Sequence, residues 1–158
     1  MKIKTELAGF TLIELVVVII ILGILAATAL PKFAALQTQA RIAKLNGALG
    51  AVKGAAVLAH AACLSTLPQC TASQSMEGTI IPMEFAYPAA TASGILAAAG
   101  IETSVGNSDG YQVGAPCGGG CIKVEVVGNV AGNCSFTYSQ PTAVNLAPTY
   151  GAVEVSGC

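Results

Sequence analysis

A run of apolar residues near the N-terminus constrains this chain more than any other feature of its sequence. The run is almost unbroken from Leu15 to Leu30, and the segment from Phe10 to Leu30 has 21 residues. A helix rises 1.5 Å per residue, so this segment would span roughly 30 Å, the thickness of a bilayer core. Only 9% of the 158 residues are charged, and the mean hydropathy of the chain is positive. This one segment accounts for that positive value. The segment therefore needs a membrane or a protein partner to cover it.

Two ordinary interpretations of such a segment are a cleaved signal peptide and a plain membrane anchor. Lys2 and Lys4 precede it, which is the charge arrangement of an export signal. A signal peptidase would cut after the small residues 27–29, but Pro31 lies too close to that bond for cleavage there. Neither interpretation explains Glu14, because an unpaired carboxylate is costly in an apolar environment. Glu14 therefore needs a cationic partner.

The residues around Glu14 form a specific pattern. A short basic leader is followed by Gly9, the aromatic Phe10, Glu14 five positions after that glycine, and then the apolar run. The pattern resembles the N-terminus of the type IV pilin and type II secretion pseudopilin superfamily. The resemblance implies that a prepilin peptidase cleaves between Gly9 and Phe10 and that the amine of Phe10 is then N-methylated. It also implies that Glu14 meets the N-terminal amine of Phe10 in a neighbouring subunit, an ion pair that sets axial register.

The chain divides by composition into a leader (1–9), an N-terminal helix (10–62) and a disulfide-bonded head (63–158). The helix is membrane anchor first and filament core later, and we expect Gly23 and Pro31 to disrupt it. Three further glycines lie along it at positions 47, 50 and 54, where they would let the helix pack closely against a sheet or reflect mere Ala/Gly drift.

The head carries strand patterns, so we predict an α+β fold. In this pilin fold a long protruding N-terminal helix packs on a small antiparallel sheet with disulfide-closed loops. Apolar residues alternate with Lys123 and Glu125, which predicts one packed face and one wet face. Extended segments are predicted at 79–85, 111–113, 122–127, 135–138 and 152–155, with a short second helix at 89–99.

Six cysteines follow the apolar segment and indicate an exported, oxidised domain. Of the 15 possible pairings we favour Cys63–Cys70, Cys117–Cys121 and Cys134–Cys158. Three glycines between Cys117 and Cys121 allow that short ring to close. The residues Tyr87-Pro88 and the segment 134–141, with the chain ending at Cys158, resemble the mannose-sensitive haemagglutinin branch of type IVa pilins. The first two pairs look like additions to that branch.

Composition argues against several classes of function. Residues 54–158 carry Lys123 against six acids, a net charge of −5, which disfavours nucleic-acid binding. His60 is the one histidine and is interpreted as structural, so no metal site, cofactor or catalytic constellation is expected. Asp109 is the one aspartate, and no acidic calcium loop of the kind found in several secretion pseudopilins follows the strands.

The sequence therefore predicts a non-enzymatic structural protein. We expect the major subunit of a type IV pilus-like filament, with a type II secretion pseudopilin or minor pilin as the alternative. The expected partners are copies of the chain in a helical filament, the prepilin peptidase, the assembly machinery of the inner membrane, and membrane lipid before assembly. The precursor would reside in the inner membrane and the mature subunit in an extracellular pilus.

Overall fold

The computed structural model describes residues 10–66, 72–104, 106, 108–128 and 132–158. The chain forms two compact units, the first ending at Thr38 and the second running from Gln39 to Cys158. One helix, α1, extends from Leu12 to Thr66, four residues beyond its predicted end at position 62. It is helical through Gly23 and Pro31, although proline lacks the N–H that an α-helical hydrogen bond requires.

The first unit is an exposed apolar helix. The large apolar side chains from Leu12 to Leu30 are all exposed, and α1 is long and apolar enough to cross a membrane. A helix satisfies every interior backbone hydrogen bond within its own segment, which is the requirement that a bilayer imposes. The β-branched run from Val16 to Ile21 is therefore compatible with a helix here, since in lipid the backbone has no water to bond instead.

The second unit combines the rest of α1 with two antiparallel sheets, which confirms the α+β class. A short π-helical segment, Ala92–Leu96, lies between the sheets in the sequence and is capped by the hydroxyl of Thr91. The first sheet has the order β1-β2-β3 and the second the order β4-β5-β6-β7. Their strands are β1 (Ser73–Met76), β2 (Thr79–Glu84), β3 (Tyr87–Pro88), β4 (Tyr111–Val113), β5 (Cys121–Val126), β6 (Ser135–Ser139) and β7 (Thr149–Tyr150).

The core of the second unit lies between α1 and the four-stranded sheet. Leu45, Val52 and Ala56 of α1 are fully buried in one cluster with Val124 of β5 and Phe136 of β6. Their spacing of seven and four residues keeps them on one face of the helix. A smaller cluster joins the end of α1 to β2 through residues 59, 63, 81 and 83. The two sheets are therefore attached to α1 along several turns of the helix.

The outer face of β5 departs from the sequence prediction. Ile122, Val124 and Val126 are buried as expected, but Glu125, predicted to be wet, is only 3% exposed. Its carboxylate accepts a hydrogen bond from Nε2 of Gln112 at 3.1 Å. Gly114 lies against the same carboxylate so closely that a Cβ there would overlap it. The chain that follows β4 thus covers the side chain, because glycine leaves room for it.

Two predicted elements of the head were wrong in extent. The segment 152–155 is not a strand, and only Glu154 forms an isolated bridge, with Ser135. The last strand is instead β7, four residues before that bridge. The predicted helix at 89–99 is shorter, because Ala89 pairs its N–H with Pro82 and belongs to the sheet connection.

The three glycines of the second half of α1 do not contact the sheet. Gly47, Gly50 and Gly54 are exposed, and a Cβ added to any of them would meet nothing within 4 Å. The expectation that they let the helix pack closely against the sheet was therefore wrong. Val57, Leu58 and Leu64 are also exposed on α1, so apolar and small residues share its outer surface.

Candidate functional site

Glu14 lies at the start of α1, where its carboxylate is held by Thr11. Oε2 of Glu14 accepts hydrogen bonds from the backbone N–H of Thr11 at 2.9 Å and from its hydroxyl at 2.8 Å. The N–H of Glu14 in turn points to the hydroxyl oxygen of Thr11 at 3.3 Å. This reciprocal arrangement is a capping box, which satisfies donors that the first turn of a helix leaves unpaired. Sequence analysis missed it, although the Thr-x-x-Glu spacing signals it.

The other carboxylate oxygen of Glu14 differs from Oε2 in its contacts within the described residues. Oε1 has no hydrogen-bond donor among the described residues, and the Glu14 side chain is exposed, as is Phe10 four residues earlier. Gly9 and the remainder of the predicted leader lie outside the described residues. The start of α1 therefore combines an anionic oxygen with an apolar helix surface, an arrangement that would attract an amine in a non-aqueous setting.

Three cations of α1 contact neutral groups of the head. Nη1 of Arg41 donates to the carbonyl oxygen of Cys158 at 3.0 Å. Nζ of Lys44 lies 4.5 Å from the centre of the Tyr111 ring, and the Tyr111 hydroxyl donates to the carbonyl of Lys44 at 3.1 Å. Nζ of Lys53 lies 5.3 Å from the centre of the Tyr150 ring. These contacts are spaced along three turns of α1 and align the helix with the sheet.

His60 has a structural environment. Its ring stacks on Tyr87 with centroids 4.1 Å apart and planes 2° from parallel. Its Nδ1 lies 2.8 Å from the carbonyl oxygen of Ala86, so Nδ1 carries the proton and donates to that oxygen. Nearby, the buried hydroxyl of Tyr138 donates to the carbonyl of Pro88 at 2.7 Å, and burial raises the pKa of Tyr138 well above its usual range. These groups connect α1 to both sheets.

Within the described residues, disulfides close two loops of the head. One joins Cys117 to Cys121 around the three glycines, and one joins Cys134 to Cys158 with Cα atoms 4.8 Å apart. Cys63 is buried and disulfide-bonded, but its predicted partner Cys70 lies outside the described residues. In the part of the chain that the structure describes, no group of three or more His, Cys, Asp or Glu side chains could hold a metal ion.

Comparison with known proteins bears directly on the start of α1. Residues 8–30 match the family model of the prokaryotic N-terminal methylation motif. The chain has a prepilin-type N-terminus. This prepilin-type N-terminus spans the predicted cleavage junction, Glu14 and the apolar helix.

The chain is also similar to a curated protein of Thermus thermophilus, the type IV narrow pilus major component PilA5. The two are 49% identical over 51 residues, which is 32% of this chain and 44% of that protein. The chain thus matches less than half the length of this relative. No solved structure matches the chain. The finer resemblance to the mannose-sensitive haemagglutinin branch stays a prediction.

Proposed function

We propose that this chain is the precursor of a structural subunit of a type IV pilus-like filament. The observation that carries the proposal is the prepilin-type motif at residues 8–30, which coincides with a fully exposed apolar helix. An exposed apolar surface of this size is stable only in lipid or against other apolar surfaces. A subunit that first resides in a membrane and then packs its helix among identical helices meets both conditions. Filament growth of this kind is a heterologous contact that does not close.

Maturation follows from the same motif. In the proposal, a prepilin peptidase removes residues 1–9, cleaving between Gly9 and Phe10, and the new amine of Phe10 is methylated. Residues 10–62 then serve as anchor and filament core, and residues 63–158 form the head. The test is the intact mass of the mature protein, which should correspond to residues 10–158 plus one methyl group. A mature chain that begins at Leu30 or retains Met1 would remove the basis of the proposal.

Assembly would use Oε1 of Glu14, which has no donor among the described residues. An incoming methylated amine of Phe10 neutralises the carboxylate, so the pair forms only when a second subunit is present, and it fixes the axial register. Gly23 and Pro31 both lie within α1 in the single chain. Because helices bend most readily at such residues, we propose that α1 loosens at Gly23 and Pro31 once it is packed in the filament. The assembly machinery of the inner membrane would move the subunit from lipid into the pilus on the cell surface.

We favour the major subunit over a minor pilin or a secretion pseudopilin. The relative from Thermus thermophilus is itself a major pilus component, and the charge-poor head suits dense packing. Mass spectrometry of surface filaments sheared from the producing cells tests this choice. The chain should account for most of the filament protein, whereas a trace amount would favour the minor-pilin alternative.

The role of Glu14 is tested with Glu14→Val and the matched variant Glu14→Gln. Valine keeps the helix apolar and should leave processing intact, but it should abolish or slow assembly because no carboxylate meets the amine. Glutamine keeps the shape of the side chain and removes only the charge, so it should also impair assembly. The monomer pool in the membrane should rise in both variants. Normal filament yield from either variant would contradict the proposed pairing.

A further inference from the structure

We propose that Lys32 and Phe33 bind the headgroup layer of the membrane, with the ammonium of Lys32 paired to the phosphate of an anionic phospholipid. This inference rests on the proposed function, because it concerns the stage at which the subunit resides in a membrane. It adds to that stage a class of lipid and the residues that contact it.

Lys32 differs in its contacts from the other three Lys and Arg residues of α1. Arg41, Lys44 and Lys53 each contact a carbonyl oxygen or an aromatic ring of the head. The side chain of Lys32 is exposed and has no hydrogen-bond, ion-pair or ring partner among the described residues. Its ammonium is therefore available to a partner outside the chain.

Lys32 lies at the end of the segment that would cross the membrane. No charged residue lies between Glu14 and Lys32, and the large apolar side chains from Leu15 to Leu30 are exposed. Glu14 and Lys32 are 18 residues apart (32 − 14 = 18), so along the helix they are separated by roughly 27 Å. The hydrocarbon core of a bilayer is about 30 Å thick. When Glu14 is at one headgroup layer, Lys32 is therefore at the other.

The neighbours of Lys32 suit the boundary between headgroups and hydrocarbon. Phe33 and Leu36 are both exposed, although both are large and apolar. Phe and Leu side chains commonly insert at this boundary in helices that contact a membrane surface. A lysine can lay its methylene stem on apolar surface while its ammonium stays in the polar layer. These three residues would thus hold α1 at one depth in the bilayer.

The chemistry of an ammonium group favours an anionic lipid over a zwitterionic one. The ammonium of Lys32 can donate charge-assisted hydrogen bonds to phosphate oxygens. In a zwitterionic lipid the cation of the headgroup competes for those oxygens, whereas an anionic lipid such as phosphatidylglycerol has no such cation. One lysine close to an anionic lipid surface corresponds to a preference of about five-fold.

A fluorescent reporter beside Lys32 can measure this preference. The chain contains no tryptophan, so Phe33→Trp introduces a single one and keeps an aromatic ring at this position. The full-length chain with this change would be reconstituted into vesicles of phosphatidylcholine and phosphatidylglycerol in equal amounts, with bromine on the acyl chains of one lipid or the other. Bromine quenches tryptophan fluorescence at short range, so the two degrees of quenching give the ratio of the two lipids around residue 33.

Three further changes, each made together with Phe33→Trp, test the role of the charge. Lys32→Arg keeps the positive charge, and Lys32→Gln removes it. Lys53→Gln is the matched control, because it removes the same charge from a lysine of α1 that contacts the ring of Tyr150.

We expect about five-fold more phosphatidylglycerol than phosphatidylcholine around the reporter when residue 32 is lysine, and a similar ratio for Lys32→Arg. Lys32→Gln should lower the ratio to below about two-fold, whereas Lys53→Gln should leave it unchanged. Raising the salt concentration from about 20 mM to about 500 mM should weaken the preference of the chain that carries Lys32, because salt screens the charge.

Two results would contradict the inference. An unchanged ratio for Lys32→Gln would show that Lys32 does not bind the lipid phosphate. Equal decreases for Lys32→Gln and Lys53→Gln would show that the net charge of α1, and not the position of Lys32, sets the preference. A reporter that neither brominated lipid quenches would instead refute the membrane-resident stage of the proposed function, so the two failures are distinguishable.

Discussion

The larger disulfide ring should contribute most to the stability of the head. Cys134 and Cys158 are separated by 24 residues and Cys117 and Cys121 by 4. On the loop-entropy model, closing these rings raises the free energy of the unfolded chain by about 3.4 and about 1.9 kcal/mol, respectively. Replacing Cys134 and Cys158 together by alanine should therefore lower the free energy of unfolding by roughly 1.5 kcal/mol more than replacing Cys117 and Cys121 together.

The folded state offers a reason to expect the full entropic effect. Three backbone hydrogen bonds hold the last residues to β6 and the turn before it without help from the disulfide. They join Ser135 and Glu154 in both directions at 3.1 and 2.8 Å, and the N–H of Gly157 to the carbonyl of Asn133 at 2.8 Å. Losing the disulfide should leave this geometry in place, so the cost falls on the unfolded state. Under the proposed function, fewer surface filaments should accompany the loss of stability.

Urea titration of the full chain in mild detergent measures these free energies. All four tyrosines lie between Tyr87 and Tyr150, so the tyrosine band of the near-ultraviolet circular dichroism spectrum reports on the head. Single cysteine variants serve as controls for the loss of packing at the buried Cys134. If removing the short ring costs as much as removing the long one, or more, the loop-entropy reasoning fails. Peptide mapping without reduction checks the pairings themselves.

Three further predictions use the same titration. Gly50→Ala, on the exposed face of α1, should raise the free energy of unfolding by about 0.5–1 kcal/mol, because alanine favours the helix and nothing obstructs its Cβ. Ala86→Gly should raise it by a similar ~0.5–1 kcal/mol, because Ala86 follows Phe85 in a two-residue hairpin turn and has a φ of 68°. Burial raises the pKa of Tyr138, so above about pH 10 the folded head keeps a proton that the unfolded chain loses. The free energy of unfolding should therefore fall as the pH rises above about 10, by at most about 1.4 kcal/mol per pH unit for this residue. Tyr138→Phe should flatten that decline, and an unchanged slope would contradict it.

The elements that the sequence predicted well are those with a strong local pattern. The apolar run identified α1, and the alternation around Val124 identified β5 and its packed face. Beta-branched or aromatic residues marked β4 and β6 in the same way. By contrast, the sequence did not predict β1, because this strand is polar and half exposed. It is a strand because it pairs with β2 across the Glu77-Gly78 turn.

Two of the failures share a physical cause, because each depends on a partner that lies outside the local sequence pattern. Glu125 is buried by the chain around Gly114, and no periodicity in β5 reveals that cover. The direction that Gly47, Gly50 and Gly54 face depends on which side of α1 the sheet occupies. At Glu14 the need for a partner was predictable, but the family resemblance implied a partner in a second subunit and did not indicate the hydrogen bonds from Thr11.

The contacts of Arg41, Lys44 and Lys53 bear on how the protein would respond to changes in salinity. Their partners are a carbonyl oxygen and two aromatic rings, so all three act at short range and do not depend on an opposite charge that dissolved ions could screen. The contacts between helix and sheet at these residues should therefore depend less on salt concentration than surface ion pairs would. The exposed carboxylates of residues 54–158, a segment with a net charge of −5, would respond more strongly to such changes in salinity.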